Sequence, residues 1–170
     1  DVLTYIFTGD KDSFQLVDEQ TEVHFTKRGI TDVEIYTNDN FLEKTGILPR
    51  QIIDLKSLMG DSSDNIPGIP GVGEKTALSL LQAYGDIDGV YSHIDELKGK
   101  LKEKLLSDKD NAYLSYELAT IYKNVPISVN FDDYLYVGPN INELKKIYEE
   151  LEFYSHLKNL NTEEKKDFKY

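Results

Sequence analysis

The chain opens on a run of apolar and β-branched residues. Residues 2–7 read Val-Leu-Thr-Tyr-Ile-Phe, so both alternating sets of positions are apolar or β-branched. This pattern is typical of a parallel strand that is buried on both faces. Residues 22–26 and 33–36 predict two more extended segments. Because two short segments supply few neighbours for such a strand, we expect its further partner strands to precede residue 1.

The rest of the chain has mainly helical patterns. Pro49 and the apolar positions after it predict a helix over residues 51–59, and an apolar stripe predicts another over residues 74–84. The segment 60–73 between them is rich in glycine and proline, which is typical of a loop. Weaker patterns predict four further helices, over residues 39–45, 98–106, 108–122 and 141–151. Residues 129–137 predict extended or irregular chain.

Length and composition place this chain among ordinary globular domains. Its 170 residues are 39% hydrophobic and 29% charged, and they include no cysteine. Disulfides, zinc ribbons, iron–sulfur clusters and thiol catalysis are therefore excluded. No apolar run approaches the roughly 20 residues of a membrane span, so we expect a cytoplasmic protein without a membrane partner. The formal net charge of −12 repels nucleic acid on average, so DNA binding requires a local basic surface or bound cations.

Four aspartates form two close pairs that predict a metal site. Asp10 and Asp12 follow the first strand, and their spacing lets both side chains point to the same place at its carboxyl end. Asp61 and Asp64 lie three residues apart, on one side of a helical turn. Converging carboxylates repel each other unless a cation is bound, and Mg²⁺ or Mn²⁺ prefers oxygen ligands. Taken alone, each pair is more often a helix cap or a turn than a metal site.

A glycine hairpin precedes the helix over residues 74–84. The N–H groups of Gly71, Val72 and Gly73 would lie near the free N-terminus of that helix, where Lys75 and Thr76 add a cation and a hydroxyl. This arrangement is typical of a helix–hairpin–helix, which binds a DNA phosphate without reading bases. A purely structural glycine turn is the alternative.

A basic segment follows the hairpin in sequence. Residues 98–104 carry several lysines, of which Lys100 and Lys104 are candidates for a second phosphate-binding patch. A solvated helix face explains the same residues about as well.

Two strings carry a specific resemblance to a known family. Residues 8–17 read Thr-Gly-Asp-Lys-Asp-Ser-Phe-Gln-Leu-Val, and residues 58–77 read Leu-Met-Gly-Asp-Ser-Ser-Asp-Asn-Ile-Pro-Gly-Ile-Pro-Gly-Val-Gly-Glu-Lys-Thr-Ala. Together they resemble the 5′–3′ exonuclease domain of bacterial DNA polymerase I, in the flap endonuclease family. Residues 114–121 also resemble the family's following helix.

The resemblance implies a fold and a set of ligands. The fold class would be α/β to mostly α: the C-terminal part of a PIN-like α/β nuclease core over residues 1–60, a helix–three-turn–helix (helix–hairpin–helix) DNA-binding region with following helices over 61–160, and a polar tail or linker over 161–170. The four aspartates would be ligands of the second of two Mg²⁺ or Mn²⁺ sites. The hairpin from Gly68 to Thr76 would bind the backbone of duplex DNA, with K⁺ held by its carbonyls.

The implied activity is a 5′–3′ exonuclease and flap endonuclease that hydrolyses DNA phosphodiesters with two metal ions and needs no small-molecule cofactor. Its substrate would be double-stranded DNA with a 5′ flap or nick, and a polymerase domain could follow in the parent protein. The family's first metal site and its basic arch precede the motifs present here. We therefore expect this chain to bind DNA and metal but to be catalytically incomplete.

Two other interpretations remain open. The chain could be a non-catalytic helix–hairpin–helix module that binds duplex DNA and whose aspartates are only caps. It could instead be an acidic interaction module that binds no DNA.

Overall fold

A computed structural model describes residues 2–28 and 32–163. The described residues fall into two compact units, one up to Asn124 and one from Val125 onward. They contain three strands, β1 Thr4–Thr8, β2 Thr21–Arg28 and β3 Asp32–Tyr36. They also contain eight α-helices: α1 Asn38–Thr45, α2 Gln51–Met59, α3 Glu74–Tyr84, α4 Ile87–Ser92, α5 Gly99–Ser107, α6 Lys109–Ala119, α7 Ile141–Glu150 and α8 Tyr154–Glu163. Short 3₁₀ turns occupy Lys11–Leu16, Ile94–Glu96 and Phe131–Tyr134.

The three strands form one sheet in the order β1-β2-β3. β1 pairs parallel with β2, which pairs antiparallel with β3. Phe14, in the 3₁₀ turn after β1, packs against one face of this sheet, with its ring 4.3 Å from the ring of Tyr36 and 5.4 Å from that of Phe25. Phe41 of α1 adds a fully buried ring beside them. This face of the sheet is therefore part of the core of the first unit.

The first strand is less buried than its sequence predicts. Among the described residues β1 pairs with β2 alone, so it lies at an edge of the sheet. Tyr5 and Phe7 are 51% and 67% exposed, because the covering layer reaches only the other face. The expectation of burial on both faces is wrong for these residues. The expectation that further strands precede residue 1 stays a prediction.

The helical predictions agree with the structure in position. α2 and α3 have the predicted bounds, α1 and α7 differ from theirs by one residue at one end, and α5 is shifted by one residue at both ends. α6 ends earlier than predicted, at Ala119, because the side chain of Gln15 forms hydrogen bonds with the backbone at this end of the helix. Its amide donates to the carbonyl of Ala119 at 3.0 Å and accepts from the N–H of Ile121 at 2.9 Å.

Two helices were not anticipated from the sequence. α4 is short and contains a glycine, so its apolar pattern is weak; the side chain of Asp86 caps it by accepting from the N–H of Gly89 at 2.7 Å. α8 follows α7 in the second unit and runs to Glu163, into the segment expected to be a polar tail. Residues 164–170 of that expected tail lie outside the described residues.

The two units divide after Asn124, whereas the boundary expected at residue 60 lies within the first unit and stays a prediction. Among the residues that the structure describes, no helix has the length and apolar character needed to cross a membrane.

Candidate metal centre and hairpin

The loop between α2 and α3, residues 60–73, is held in shape by backbone hydrogen bonds. Asp61 and Ile66 exchange a pair of N–H···O bonds of 3.0 and 2.8 Å. The N–H of Ile69 donates to the carbonyl of Leu58, the penultimate residue of α2, at 2.9 Å. These bonds fold the loop back against the end of α2. The backbone that carries Asp61 and Asp64 is therefore fixed relative to that helix.

Gly68 makes the closest backbone approach in this loop. Its φ is +58°, and a Cβ built on it would lie 2.1 Å from the backbone nitrogen of Gly60. Its N–H is buried and donates to the hydroxyl of Ser115 in α6 at 2.9 Å. Only glycine fits such a position. α6, which packs against α2, thus helps to position the loop through the hydroxyl of Ser115.

Three of the four predicted aspartates come together. One carboxylate oxygen from each of Asp12, Asp61 and Asp64 lies within 4.8 Å of the others, and we call these residues the three-carboxylate cluster. Asp12 comes from the 3₁₀ turn after β1, and the other two come from the loop. Asp12 and Asp61 are half-buried, whereas Asp64 is exposed. Sequence spacing suggested two pairs; the tertiary structure joins one residue of the first pair to both residues of the second.

The fourth aspartate, Asp10, lies outside this cluster. It is the N-cap of the 3₁₀ turn, and its carboxylate accepts from the N–H of Asp12 at 2.9 Å. Its own N–H donates to the hydroxyl of Thr8 at 3.0 Å. The structure therefore gives Asp10 the capping geometry that was the alternative for this pair, and its side chain holds the turn on which Asp12 sits.

A lysine that sequence reasoning missed lies among the three carboxylates. The ammonium of Lys56 in α2 contacts Asp12, and it lies 2.7 Å from Asp61 Oδ2 and 3.7 Å from Asp64 Oδ2. Lys56 is only 8% exposed. The signal was present in the sequence, because Lys56 shares the face of α2 that carries Ile52 and Met59 at helical spacing.

Lys56 also dominates the electrostatics of Asp61. Its ammonium, together with the hydroxyl and N–H of Ser63, lowers the pKa of the Asp61 carboxyl to about 2 from an ordinary 3.8. The N–H of Ser63 donates to Asp61 Oδ1 at 2.9 Å. Asp61 is therefore ionised throughout the neutral range.

The donor set of the three-carboxylate cluster fits a hard divalent cation. All three groups offer carboxylate oxygens, the ligands that Mg²⁺ and Mn²⁺ prefer. A positively charged group already lies among them. A cavity of about 670 Å³ lies beside the cluster, and Lys11, Lys56, Asp61 and Glu74 help to line it.

The hairpin of residues 68–76 leads from this loop into α3. The N–H of Val72 donates to the carbonyl of Ile69 at 3.0 Å, so it closes the turn, and the side chain of Val72 is buried. The N–H of Gly68 is likewise used, as described above. Neither of these two predicted residues therefore offers an N–H group to a ligand.

Other backbone groups of the hairpin are free. No side chain caps α3, and the N–H groups of Gly71, Gly73, Glu74 and Lys75 have no hydrogen-bond partner within the residues that the structure describes. Lys75 is exposed, and Thr76 is half-buried at the same helix end. This cluster of free donors suits an anion.

The two lysines of the predicted second patch have different surroundings. Lys104 Nζ donates to the carbonyl of Gly71 at 3.2 Å, so α5 supports the hairpin through this side chain. Lys100 is exposed. Their neighbour Lys102 pairs with Asp95 at 2.7 Å. An ammonium has three donors, so Lys104 retains others after bonding to Gly71.

Solved structures with the same fold are nucleases. The chain aligns with a zinc-bound T5 5′-exonuclease at a TM-score of 0.57 and 23% identity, over 69% of this chain and 42% of that one. It aligns with the catalytic core of Rad2 in complex with DNA substrate at a TM-score of 0.58 and 18% identity, over 85% and 49% of the two chains. These likenesses confirm the predicted fold class, a mixed α/β, helix-rich part of a 5′-nuclease fold.

Curated relatives are much closer in sequence. A DNA polymerase I from Lactococcus lactis subsp. lactis (strain IL1403) is 50% identical over 149 residues, which are 87% of this chain and 17% of that protein. One from Bacillus subtilis (strain 168) is 50% identical over 156 residues, 91% of this chain and 18% of that protein. The chain thus spans less than a fifth of the length of these relatives.

A family model described as "5'-3' exonuclease, C-terminal SAM fold" matches residues 47–142. This region includes α2, the loop, the hairpin and the helices up to the start of α7. The resemblance drawn from the two sequence strings is therefore confirmed. Because the match covers more than half of the 170 residues, the chain belongs to the 5′–3′ exonuclease family.

Proposed function

We propose that this chain is part of a structure-specific 5′ nuclease that hydrolyses DNA phosphodiester bonds with the help of divalent metal ions. The observation that carries the proposal is the convergence of Asp12, Asp61 and Asp64, from two separate segments, within 4.8 Å. Isolated caps and turns do not require such convergence. The curated relatives are DNA polymerase I proteins, so a polymerase domain in the parent protein and a cytoplasmic location belong to the same proposal.

The three-carboxylate cluster would hold Mg²⁺ or Mn²⁺. When bound there, the ion supplies charge stabilisation for the phosphate and an activated water. Asp10 would act on this site through the turn that carries Asp12. The described residues supply one such cluster, whereas two-metal hydrolysis needs a second set of ligands. We therefore propose that this chain binds metal and DNA but has little nuclease activity by itself.

The hairpin would bind the phosphate backbone of duplex DNA that carries a 5′ flap or nick. Its free N–H groups, together with Lys75, offer donors for phosphate oxygens, and contacts of this kind do not depend on base identity. Lys100 and Lys104 would extend the phosphate contacts along α5. Such binding would position the DNA relative to the cluster, because the loop that carries Asp61 and Asp64 continues directly into the hairpin.

The proposal also includes a K⁺ ion bound by backbone carbonyls of the hairpin. The carbonyl of Gly71 already accepts from the ammonium of Lys104, which supports a cation-facing carbonyl at this place. Duplex binding should then be tighter in KCl than in LiCl at equal ionic strength. Equal binding in the two salts would contradict a K⁺ site.

The test of the main proposal is binding to a 5′-flap duplex at low salt, with and without Mn²⁺. We expect Mn²⁺ to tighten binding by the wild type about tenfold by neutralising the acidic cluster, and Asp61→Ala/Asp64→Ala to lose this gain. The matched control is Asp132→Ala/Asp133→Ala, which removes the same charge from an exposed turn of the second unit. The control should keep the gain.

Other results would favour the two alternative interpretations. Salt-sensitive binding that is unaffected by Mn²⁺ and is equal in wild type and Asp61→Ala/Asp64→Ala would support a non-catalytic helix–hairpin–helix module. Absence of duplex binding at low salt would support an acidic interaction module. Robust cleavage of the flap by this chain would contradict the expectation that it is catalytically incomplete.

A further inference from the structure

Lys56 is a buried lysine whose ammonium points into an acidic cluster. It lies on the core-facing side of α2 and is 8% exposed. Its described ion-pair partners are Asp12, Asp61 and Asp64. Desolvation makes such a position costly for an unpaired ammonium, so the pairing must compensate.

The charges of this cluster do not balance. Three carboxylates with oxygens within 4.8 Å of one another repel each other strongly, and the single ammonium offsets only part of that charge. A divalent cation would offset more of it. The three carboxylates that hold Lys56 are the same carboxylates that would hold the ion.

We propose that Lys56 is the internal counter-cation of the metal-free site and that a divalent ion must displace its ammonium in order to bind. This inference rests on the proposed metal site. In the metal-free protein Lys56 keeps the three carboxylates assembled. Its presence also lowers the affinity for divalent ions, because binding requires breaking the ion pairs.

The displaced side chain has room to move. The cavity of about 670 Å³ beside the cluster is lined by Lys56 and also by Glu74. A lysine side chain is flexible, and the cavity gives its ammonium space outside the cluster. A change in the side-chain conformation of Lys56 can therefore release the ammonium from the cluster.

The test is a calorimetric titration of the 170-residue chain with Mn²⁺ alone, in wild type and in Lys56→Met. Methionine keeps the apolar stem and removes the charge. We expect Lys56→Met to bind Mn²⁺ at least about tenfold more tightly, because a positive charge within ion-pair distance of the ligands is removed. Lys11→Met is the matched control, since Lys11 lines the same cavity and forms no ion pair with the cluster in the described structure. Its affinity should stay within about threefold of wild type.

Thermal unfolding gives a second readout. In chelator, Lys56→Met should unfold at a lower temperature than wild type, because the carboxylates are left uncompensated, and saturating Mn²⁺ should remove the difference. If Lys56→Met does not fold in chelator, both measurements can be made on Lys56→Gln, whose side chain is neutral and polar.

The two failures are distinguishable. Mn²⁺ binding by wild type that is unchanged or weaker in both Lys56 variants would overturn the counter-cation role while leaving the metal site intact. Absence of Mn²⁺ binding in wild type and in every variant would overturn the proposed metal site itself. Binding that appears only in the Lys56 variants would support displacement.

Discussion

Replacing Gly68 by alanine tests whether the loop geometry beneath the cluster is as tight as the structure indicates. A Cβ at this position would lie 2.1 Å from the nitrogen and 2.5 Å from the Cα of Gly60. Both atoms belong to the backbone, so no flexible side chain can move aside. The φ of +58° adds strain for any residue with a Cβ.

The expected cost has two parts. Left-handed backbone costs an alanine about 1–2 kcal/mol, and overpacking against rigid neighbours costs about 1–3 kcal/mol. Gly68→Ala should therefore lose about 2–5 kcal/mol of the free energy of unfolding, a large share of the roughly 5–15 kcal/mol of an ordinary domain.

Two other glycines separate these contributions. Gly99 has a φ of +61° but no atom within 4 Å of its added Cβ, so Gly99→Ala should show only the backbone cost of about 1–2 kcal/mol. Gly73 has an extended backbone, with φ −96° and ψ 173°, and open space around it. Because Gly73 is the N-cap of α3, where alanine is less favourable than glycine, Gly73→Ala should cost no more than about 1 kcal/mol.

The assay is urea unfolding of the three variants and wild type, followed by far-UV circular dichroism at pH 7.5 and 25 °C. The order of stability loss should be Gly68→Ala, then Gly99→Ala, then Gly73→Ala. A Gly68→Ala variant that is no less stable than Gly99→Ala would refute the close approach to Gly60. Equal losses of unfolding free energy in all three variants would refute the argument that the cost depends on the backbone conformation and the space at each glycine.

Two further predictions concern buried polar groups. Burial raises the pKa of the Asp54 carboxyl to about 6 from 3.8, so the folded state binds its proton more tightly than the unfolded state does. The free energy of unfolding should then fall by up to about 3 kcal/mol as pH rises from about 4 to 7. Asp54→Asn can still accept from the N–H of Ile87 but does not titrate. Urea unfolding of this variant at pH 4.5 and 7.5 should therefore show a smaller change in the free energy of unfolding than the wild type shows. Ser115→Ala leaves the buried N–H of Gly68 without a partner and should cost about 1–3 kcal/mol, whereas the exposed Ser107→Ala should cost no more than about 0.5 kcal/mol in the same unfolding assay.

Local pattern alone predicted most of the helices correctly. The bounds of α2 and α3 follow from proline, glycine and apolar spacing over a few residues. The loop between them was recognised from its glycines and prolines, and the two sequence strings placed the chain in its family. These features depend on interactions between near neighbours in sequence, which the order of residues encodes directly.

The burial of the first strand could not be predicted in the same way. The apolar pattern of residues 2–7 predicted a strand covered on both faces, yet Phe7 is 67% exposed. The sequence pattern of a strand shows which positions are apolar, but it does not show which of them are covered by other parts of the protein. Which layers cover them depends on segments distant in the chain.

Only the tertiary structure decided the composition of the candidate metal site. Asp10 and Asp12 have equivalent positions in the sequence pattern, but the 3₁₀ turn after β1 uses Asp10 as its cap and directs Asp12 to the cluster. Lys56 enters the same cluster because α2 packs with that side inward. Sequence alone determined which carboxylates were available and that a glycine loop would carry two of them. The packing of α2 against its neighbours decided which carboxylates meet and which cation lies between them, because those contacts join residues far apart in the chain.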